Sequence, residues 1–180
     1  AKVANSIGGS ALQADVTSPD AGTRIMNHAR TRHGGLDIVV HNAGITRDKL
    51  LANTDAERWG SVLDVNLTSA FLCARAVYPH MKRAGAGKIV NIGSMLSIFG
   101  AAFAPAYGAS KGGVVQLTKS MAVAWAADNI QVNAVLPGWV DTDLTRQARA
   151  HVAGLNERVL ARSPAGRWGE PADFAGAAVF

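Results

Sequence analysis

The sequence predicts an α/β protein built on a parallel sheet, and three observations carry that expectation. The run Asp37 to Val40, DIVV, is aliphatic without alternation, the pattern of a strand covered on both faces. It follows a helical segment that itself follows a short strand-like one, so the order is that of a βαβ unit. The 180 residues are 48% hydrophobic and include 19 glycines, enough for one domain over residues 1–180 with a sizeable core and many tight turns.

The opening AKVANSIGGSALQADV reads as the tail of a helix, a turn at Gly8 and Gly9, and a short strand ending at Asp15 and Val16. A domain rarely begins on the end of a helix, so the chain is expected to start at an internal point of a longer one. Thr17, Ser18, Pro19 and Asp20 form a turn with helix-start character; Ile25, Met26 and Ala29 continue with helical spacing to Arg32, and Gly34 and Gly35 end that helix. DIVV then empties into His41, Asn42, Ala43 and Gly44. A turn at the carboxyl end of a central parallel strand is where open α/β sheets bind ligands, and a small Ala-Gly pair lets a ring approach the backbone.

Thr54 with Glu57 predicts a capping box for a long helix. Within it Trp59, Val62, Leu63, Asn66, Leu67, Ala70, Phe71, Ala74 and Val77 recur at threes and fours, so one broad stripe is expected to be buried. Asn66 is a polar amide inside that stripe, costly unless satisfied; a local helix hydrogen bond is one way to satisfy it.

Lys88 to Lys111, KIVNIGSMLSIFGAAFAPAYGASK, runs from a buried strand through a loop into a helix, and carries the chemistry. Tyr107 and Lys111 are four residues apart, one turn of helix on the same face. A phenol titrates near pH ~10, too high for ready proton exchange at neutral pH. An ammonium about 5 Å away, at an effective dielectric of about 20, favours the phenolate by roughly 3 kcal/mol, about two pKa units. Tyr107 is therefore read as an acid/base lowered by Lys111, and Ser94, just past the strand, as the neutral hydroxyl that holds a substrate oxygen before it. Asn129 to Pro137, NIQVNAVLP, makes another buried strand ending at Pro137 and Gly138. Asp141 to Ser163 reads as a mobile helical lid, and Glu170-Pro171 starts a last helix with proline in its first turn.

Other chemistries are excluded. The five histidines form no i, i+4 pair and have no cysteine beside them, so no metal site is expected. The lone Cys73 falls in an apolar helical pattern and reads as a small core residue. The net charge of +5 is scattered, with no nucleic-acid footprint. No apolar run is long enough for a membrane span and no leader pattern opens the chain, so the expectation is a cytoplasmic protein. AGAGK at 84–88 precedes a strand, whereas a phosphate loop follows one.

Asn-Ala-Gly at 42–44, the helical Asn66, Ser94 with Tyr107-x-x-x-Lys111, and Pro137-Gly138 stand in the order seen in the short-chain dehydrogenase/reductase family, and the chain resembles that family over essentially its whole length. The resemblance implies a Rossmann-like doubly wound parallel sheet in three layers, incomplete at both ends: the glycine-rich first strand and turn would precede Ala1, and the final strand would follow Phe180. His41 stands where the family more often has another asparagine. The resemblance assigns Ser94, Tyr107, Lys111 and Asn66 to catalysis, with Asn66 perturbing its helix so that a water links the lysine to solvent. It assigns Asp15, Val16, Asn42, Ala43, Gly44, Tyr107, Lys111, Pro137, Gly138, Val140 and Thr142 to the cofactor, NADP ahead of NAD. Within the family, residues 43–71 are most similar to 3-oxoacyl-[acyl carrier protein] reductases, implying reduction of a 3-oxoacyl thioester in fatty acid biosynthesis by a homodimer or homotetramer acting on a small or carrier-bound substrate. The part from Gly93 onward is also similar to sugar and polyol dehydrogenases. A non-catalytic fragment that dimerises through its long helices, and a sugar epimerase or dehydratase, are the other readings.

Overall fold

A computed structural model describes residues 2–179. The chain divides into two compact units, Ala1–Ala134 and Val135–Phe180. The first opens with α1 (Lys2–Ser6) and α2 (Ala21–His33), whose C-terminus closes on Gly34 in the left-handed region at φ 83°. β1 (Ile38–His41) follows. Then α3 (Ala56–Leu63), a π-helical turn (Asp64–Thr68) and α4 (Ser69–Ala84) run on without a break. β2 (Gly87–Ile92), α5 (Pro105–Trp125) and β3 (Ile130–Val135) complete it. The sheet order is β1-β2-β3, and β1 pairs parallel with β2 in the register Val39↔Ile89 and His41↔Asn91. The parallel sheet expected from the aliphatic run DIVV is present in the β1–β2 pair, whereas the strand-helix-strand unit expected to lead into it lacks its first strand among the described residues.

The core of this unit joins helices to one face of the sheet. Met26 of α2, Val77 and Met81 of α4 and Met121 of α5 cluster with Val39, Ile89, Ile130 and Val132. Full burial of side chains such as Met81 and Ile89 contributes about 1.5–3 kcal/mol each. Helices α2 and α4 approach closely at Gly22, where a Cβ would lie 2.8 Å from both the Ala76 Cβ and the Leu72 carbonyl oxygen. Cys73 is buried, as its apolar pattern implies, and burial pushes its thiol pKa up.

Four local expectations change. Residues 10–15 form no strand, because a strand needs a ladder and this segment bonds to α2 instead. There the Ser10 hydroxyl meets both His28 and His33 at 2.8 Å, and Arg24 donates to the Gln13 carbonyl oxygen. β1 is covered on one face only: Ile38 and Val40 are 53% and 52% exposed, on the side away from Val39 and the helices. Asp55, rather than Thr54, caps α3: its carboxylate accepts from Arg58 N–H at 2.7 Å, a better partner for a helix N-terminus, while Thr54 donates back to Leu50 O. The buried stripe is narrower than expected. Trp59 and Phe71 lie exposed at its edge, Phe71 under the Arg75 guanidinium.

The second unit holds α6 (Asp143–His151), α7 (Leu155–Arg162) and, after a 3-10 turn at Pro171–Phe174, α8 (Ala175–Val179). Val140 pairs with Gly169 in a parallel bridge, secured by Asp141 N–H to Gly169 O at 2.7 Å. The helical character expected for 141–163 is present. Among the described residues no helix is long and apolar enough to cross a membrane.

Candidate active site

Strand β2 delivers Ser94. Its backbone N–H donates to the Ser97 hydroxyl at 3.2 Å, and Ser97 in turn donates to the Lys111 carbonyl oxygen at 2.9 Å. This ties the loop after β2 to the turn of α5 that carries Lys111. α5 begins at Pro105, whose ring suits the first turn, so Tyr107 and Lys111 fall in its first two turns. Ser94 and Lys111 are buried and Tyr107 is half-buried.

Lys111 sends its Nζ to the Ile92 carbonyl oxygen at 2.6 Å and lies 5.6 Å from the Tyr107 ring centroid. Two of its three ammonium protons have no protein partner among the described residues. Burial pulls the lysine pKa down. The tyrosine pKa is not lowered here, contrary to the Coulomb expectation. Burial raises it, the neighbouring Ser94 hydroxyl opposes that rise as a hydrogen-bond partner, and the Asp48 carboxylate adds to it. The physical reason is burial: taking the phenol out of water disfavours the phenolate, and the ammonium spends its one protein hydrogen bond among the described residues on Ile92 O.

Asn66 sits in the π-helical turn, with every amide proton placed. Its Oδ1 accepts from Ile45 N–H at 2.8 Å, and its Nδ2 donates to Ile45 O at 3.0 Å and to the Ser110 hydroxyl at 2.9 Å. The helix is perturbed at this asparagine, as the resemblance implied, but its side chain is satisfied by a distant turn rather than by its own helix. Gly44 lies in front of it: a Cβ there would stand 3.4 Å from Asn66 Oδ1 and 3.6 Å from Lys111 Nζ. Ser97 and Ser110 were not singled out by sequence. Each is one small polar residue in a common context, and only its partners, 14 and 44 residues away, reveal it.

A cavity of about 140 Å³ opens between the end of β1 and helices α2 and α4, and Val16, Asn42, Ala43 and Asn66 all line it. Asp15 stands next to it, its carboxylate held below the usual range by the Thr17 backbone N–H and hydroxyl. Pro137, Gly138, Val140 and Thr142 belong to the second unit. There Thr142 caps α6, its hydroxyl accepting from Thr145 N–H. Among the described residues no group of three potential metal ligands gathers.

His41 also lines the cavity, and its tautomer follows from its neighbours. Thr118 donates to Val114 O, so Asn91 Nδ2 donates to Thr118 and Asn91 Oδ1 faces His41 at 2.6 Å. His41 therefore carries its proton on Nδ1, and its buried Nε2 has no partner among the described residues. Burial pulls its pKa down, more than the Asn91 bond raises it. The unfolded chain then takes up a proton below about pH 6.5 that the folded chain resists, so stability falls as pH drops through that value towards the folded pKa, by at most about 1.4 kcal/mol per pH unit. His41→Asn keeps a donor for Asn91 and removes the titration. Thermal melts from pH 7.5 to 5 should show a smaller acid-side loss of Tm in this variant, and parallel curves would remove His41 as the cause.

The chain is similar to known proteins over most of its length. A family model described as enoyl-(acyl carrier protein) reductase matches residues 1–180. The chain is 47% identical over 145 residues to 2-dehydro-3-deoxy-D-gluconate 5-dehydrogenase of Bacillus subtilis, covering 81% of this chain and 57% of that protein. It is 38% identical over 176 residues to 3-oxoacyl-[acyl-carrier-protein] reductase FabG of Vibrio cholerae, covering 96% and 69%. The fold is similar, with a TM-score of 0.91 and 36% identity, to a crystal structure of a gluconate 5-dehydrogenase from Burkholderia cenocepacia in complex with NADP and tartrate, covering 99% of this chain and 72% of that one. The chain thus spans about three-fifths to seven-tenths of the length of these proteins.

Proposed function

The chain belongs to the short-chain dehydrogenase/reductase family, and from that premise we propose that it transfers a hydride between NAD(P)H and a ketone or its secondary alcohol, with NADP ahead of NAD. The observation that carries the reading is the buried Lys111, one helical turn from Tyr107, whose ammonium has two protons without a partner among the described residues, with Gly44 leaving room in front of it. A buried cation is costly while its donors are not all satisfied, and a ribose hydroxyl would supply an acceptor for one of them.

A bound nicotinamide cofactor supplies the hydride. Ser94 holds the substrate oxygen, and Tyr107 gives that oxygen its proton in reduction or takes it in oxidation. Lys111 binds the ribose and keeps a positive charge one helical turn from Tyr107; Asn66 keeps the proton path beside Lys111 in place. Val16, Asn42, Ala43, Gly44 and Asp15 receive the adenosine end, and Pro137, Gly138, Val140 and Thr142 the nicotinamide end. Assembly as a homodimer or homotetramer belongs to the same reading, supported by the exposed Phe71 on α4 and Val123 on α5.

The substrate reading is a 3-oxoacyl thioester. Its support is the stretch between Ser94 and Tyr107, which has no charged residue and exposes Ile98, Phe99 and Phe103, a lining suited to an acyl chain. A second reading, a sugar-acid or polyol dehydrogenase, is supported by the 47% identity to the Bacillus subtilis protein. Titration with NADPH and NADH, followed by nicotinamide fluorescence, tests the cofactor; addition of acetoacetyl thioester or 2-dehydro-3-deoxy-D-gluconate then ranks the substrates by kcat/KM. Saturable binding with faster thioester turnover is the expected result. Binding of neither nucleotide would return the chain to the fragment reading.

A further inference from the structure

The residue before Lys111 has a place in this site that the reading above does not assign. Ser110 is fully buried, and its one hydroxyl joins two elements: it accepts from Asn66 Nδ2 at 2.9 Å and donates to the Tyr107 carbonyl oxygen at 2.8 Å. The direction of each bond is forced. A carbonyl only accepts, so the serine proton goes to Tyr107 O and a lone pair faces Asn66. That lone pair requires an N–H from Asn66, which turns the amide so that Oδ1 meets Ile45 N–H and the second Nδ2 proton meets Ile45 O. With the oxygen and nitrogen of Asn66 exchanged, all three bonds would fail together. One hydroxyl thereby links the turn after Gly44, the π-helical turn and the first turn of α5.

We infer that Ser110 is a positioning residue, which holds the Asn66 amide in the one orientation that couples the Asn42–Ile45 turn to the helix bearing Tyr107 and Lys111. The inference rests on the proposed reaction for its effect on rate, and on geometry alone for its effect on Ile45. In Ser110→Ala the Asn66 amide loses one of the three bonds that select its orientation, the one that ties it to α5, and the acceptor of the Ile45 N–H is held less firmly. A hydrogen bond of this kind is worth about 1 kcal/mol, so Ile45 exchange should accelerate about five- to tenfold.

The experiment measures amide hydrogen exchange by NMR, together with steady-state kinetics, for wild type, Ser110→Ala, Asn66→Ala and the double variant, with Ser110→Cys as a conservative replacement. The expected result is faster Ile45 exchange in Ser110→Ala at unchanged Val132 exchange, an intermediate value in Ser110→Cys, and a fall in kcat of about tenfold with KM little changed. The double variant should be no slower than Asn66→Ala, because Ser110 acts through that amide. Unchanged Ile45 exchange in Ser110→Ala would overturn the inference whatever the rate does, and so would losses in kcat that multiply in the double variant. Should wild type reduce no ketone with either nucleotide, the proposed reaction fails, and the exchange measurement alone decides the role of Ser110.

Discussion

Tyr107→Phe is expected to lower kcat by about 10²- to 10⁴-fold, the range over which a positioned general acid or base contributes, and to leave the fold unchanged. The substitution removes one oxygen from a half-buried ring on a helix whose packing rests on Val114, Thr118 and Met121 below it. Its cost in stability is at most one hydrogen bond, about 1 kcal/mol, so thermal melts should nearly superimpose. The direction of the pKa sharpens the expectation. With burial raising the phenol above its ordinary value of 10.0, the tyrosine is protonated throughout the neutral range and ready to act as an acid. Ketone reduction by the wild type should therefore be flat from about pH 6 to 8, while alcohol oxidation, which needs the phenolate, should climb with pH. Both limbs should vanish in the phenylalanine variant. A variant within about threefold of wild-type kcat would remove Tyr107 from the chemistry, since even the low end of the general acid contribution is larger.

The features legible in the sequence are those whose signal is local. The Tyr107 and Lys111 spacing, the apolar run into Asn42–Gly44 and the strand leading to Ser94 are each contained within a few residues, and the structure has the corresponding helix, turn and strand. Asn66 was visible because a polar side chain interrupts an apolar stripe, yet its partners Ile45 and Ser110 lie 21 and 44 residues away, where no periodicity points. The strand expected at 10–15 shows the converse. Its composition suits a strand, but strand formation is decided by a backbone neighbour, and among the described residues none pairs with it; His28 and His33 hold the Ser10 hydroxyl and Arg24 the Gln13 carbonyl oxygen instead. Phe71 and Trp59 fit the helical period and lie exposed because a period specifies a direction and not how far the covering layer extends. The orientation of the Lys111 ammonium belongs to the same class: spacing places it one turn from Tyr107, and only the position of Ile92 O shows where it points.

Lys111→Met is expected to separate function from stability. Lys111 is 4% exposed, and its ammonium donates to one carbonyl oxygen among the described residues. Removing it withdraws the charge that the reaction requires beside Tyr107, and loss of a positioned electrostatic group of this kind costs about 10²- to 10³-fold in kcat; the KM for the nucleotide should rise as well, because the same group binds it. Stability should move the other way or not at all. Burying a charge costs several kcal/mol, against about 1–3 kcal/mol for leaving Ile92 O without its donor, and methionine fills the lysine volume. The sign is checked by pH. Burial lowers the folded pKa of Lys111 below 10.5, so the unfolded chain binds more protons between the folded value and 10.5, and wild-type stability rises with pH across that window. Any advantage of the methionine variant at pH 7 should therefore shrink as pH rises through that window towards and past 10.5, above which the lysine is neutral in both states. A steep fall in Tm at pH 7 would make Lys111 a structural residue, and wild-type turnover would remove it from catalysis. A lost rate with an equal or higher Tm is the outcome expected of a charge that destabilises the fold and serves the reaction.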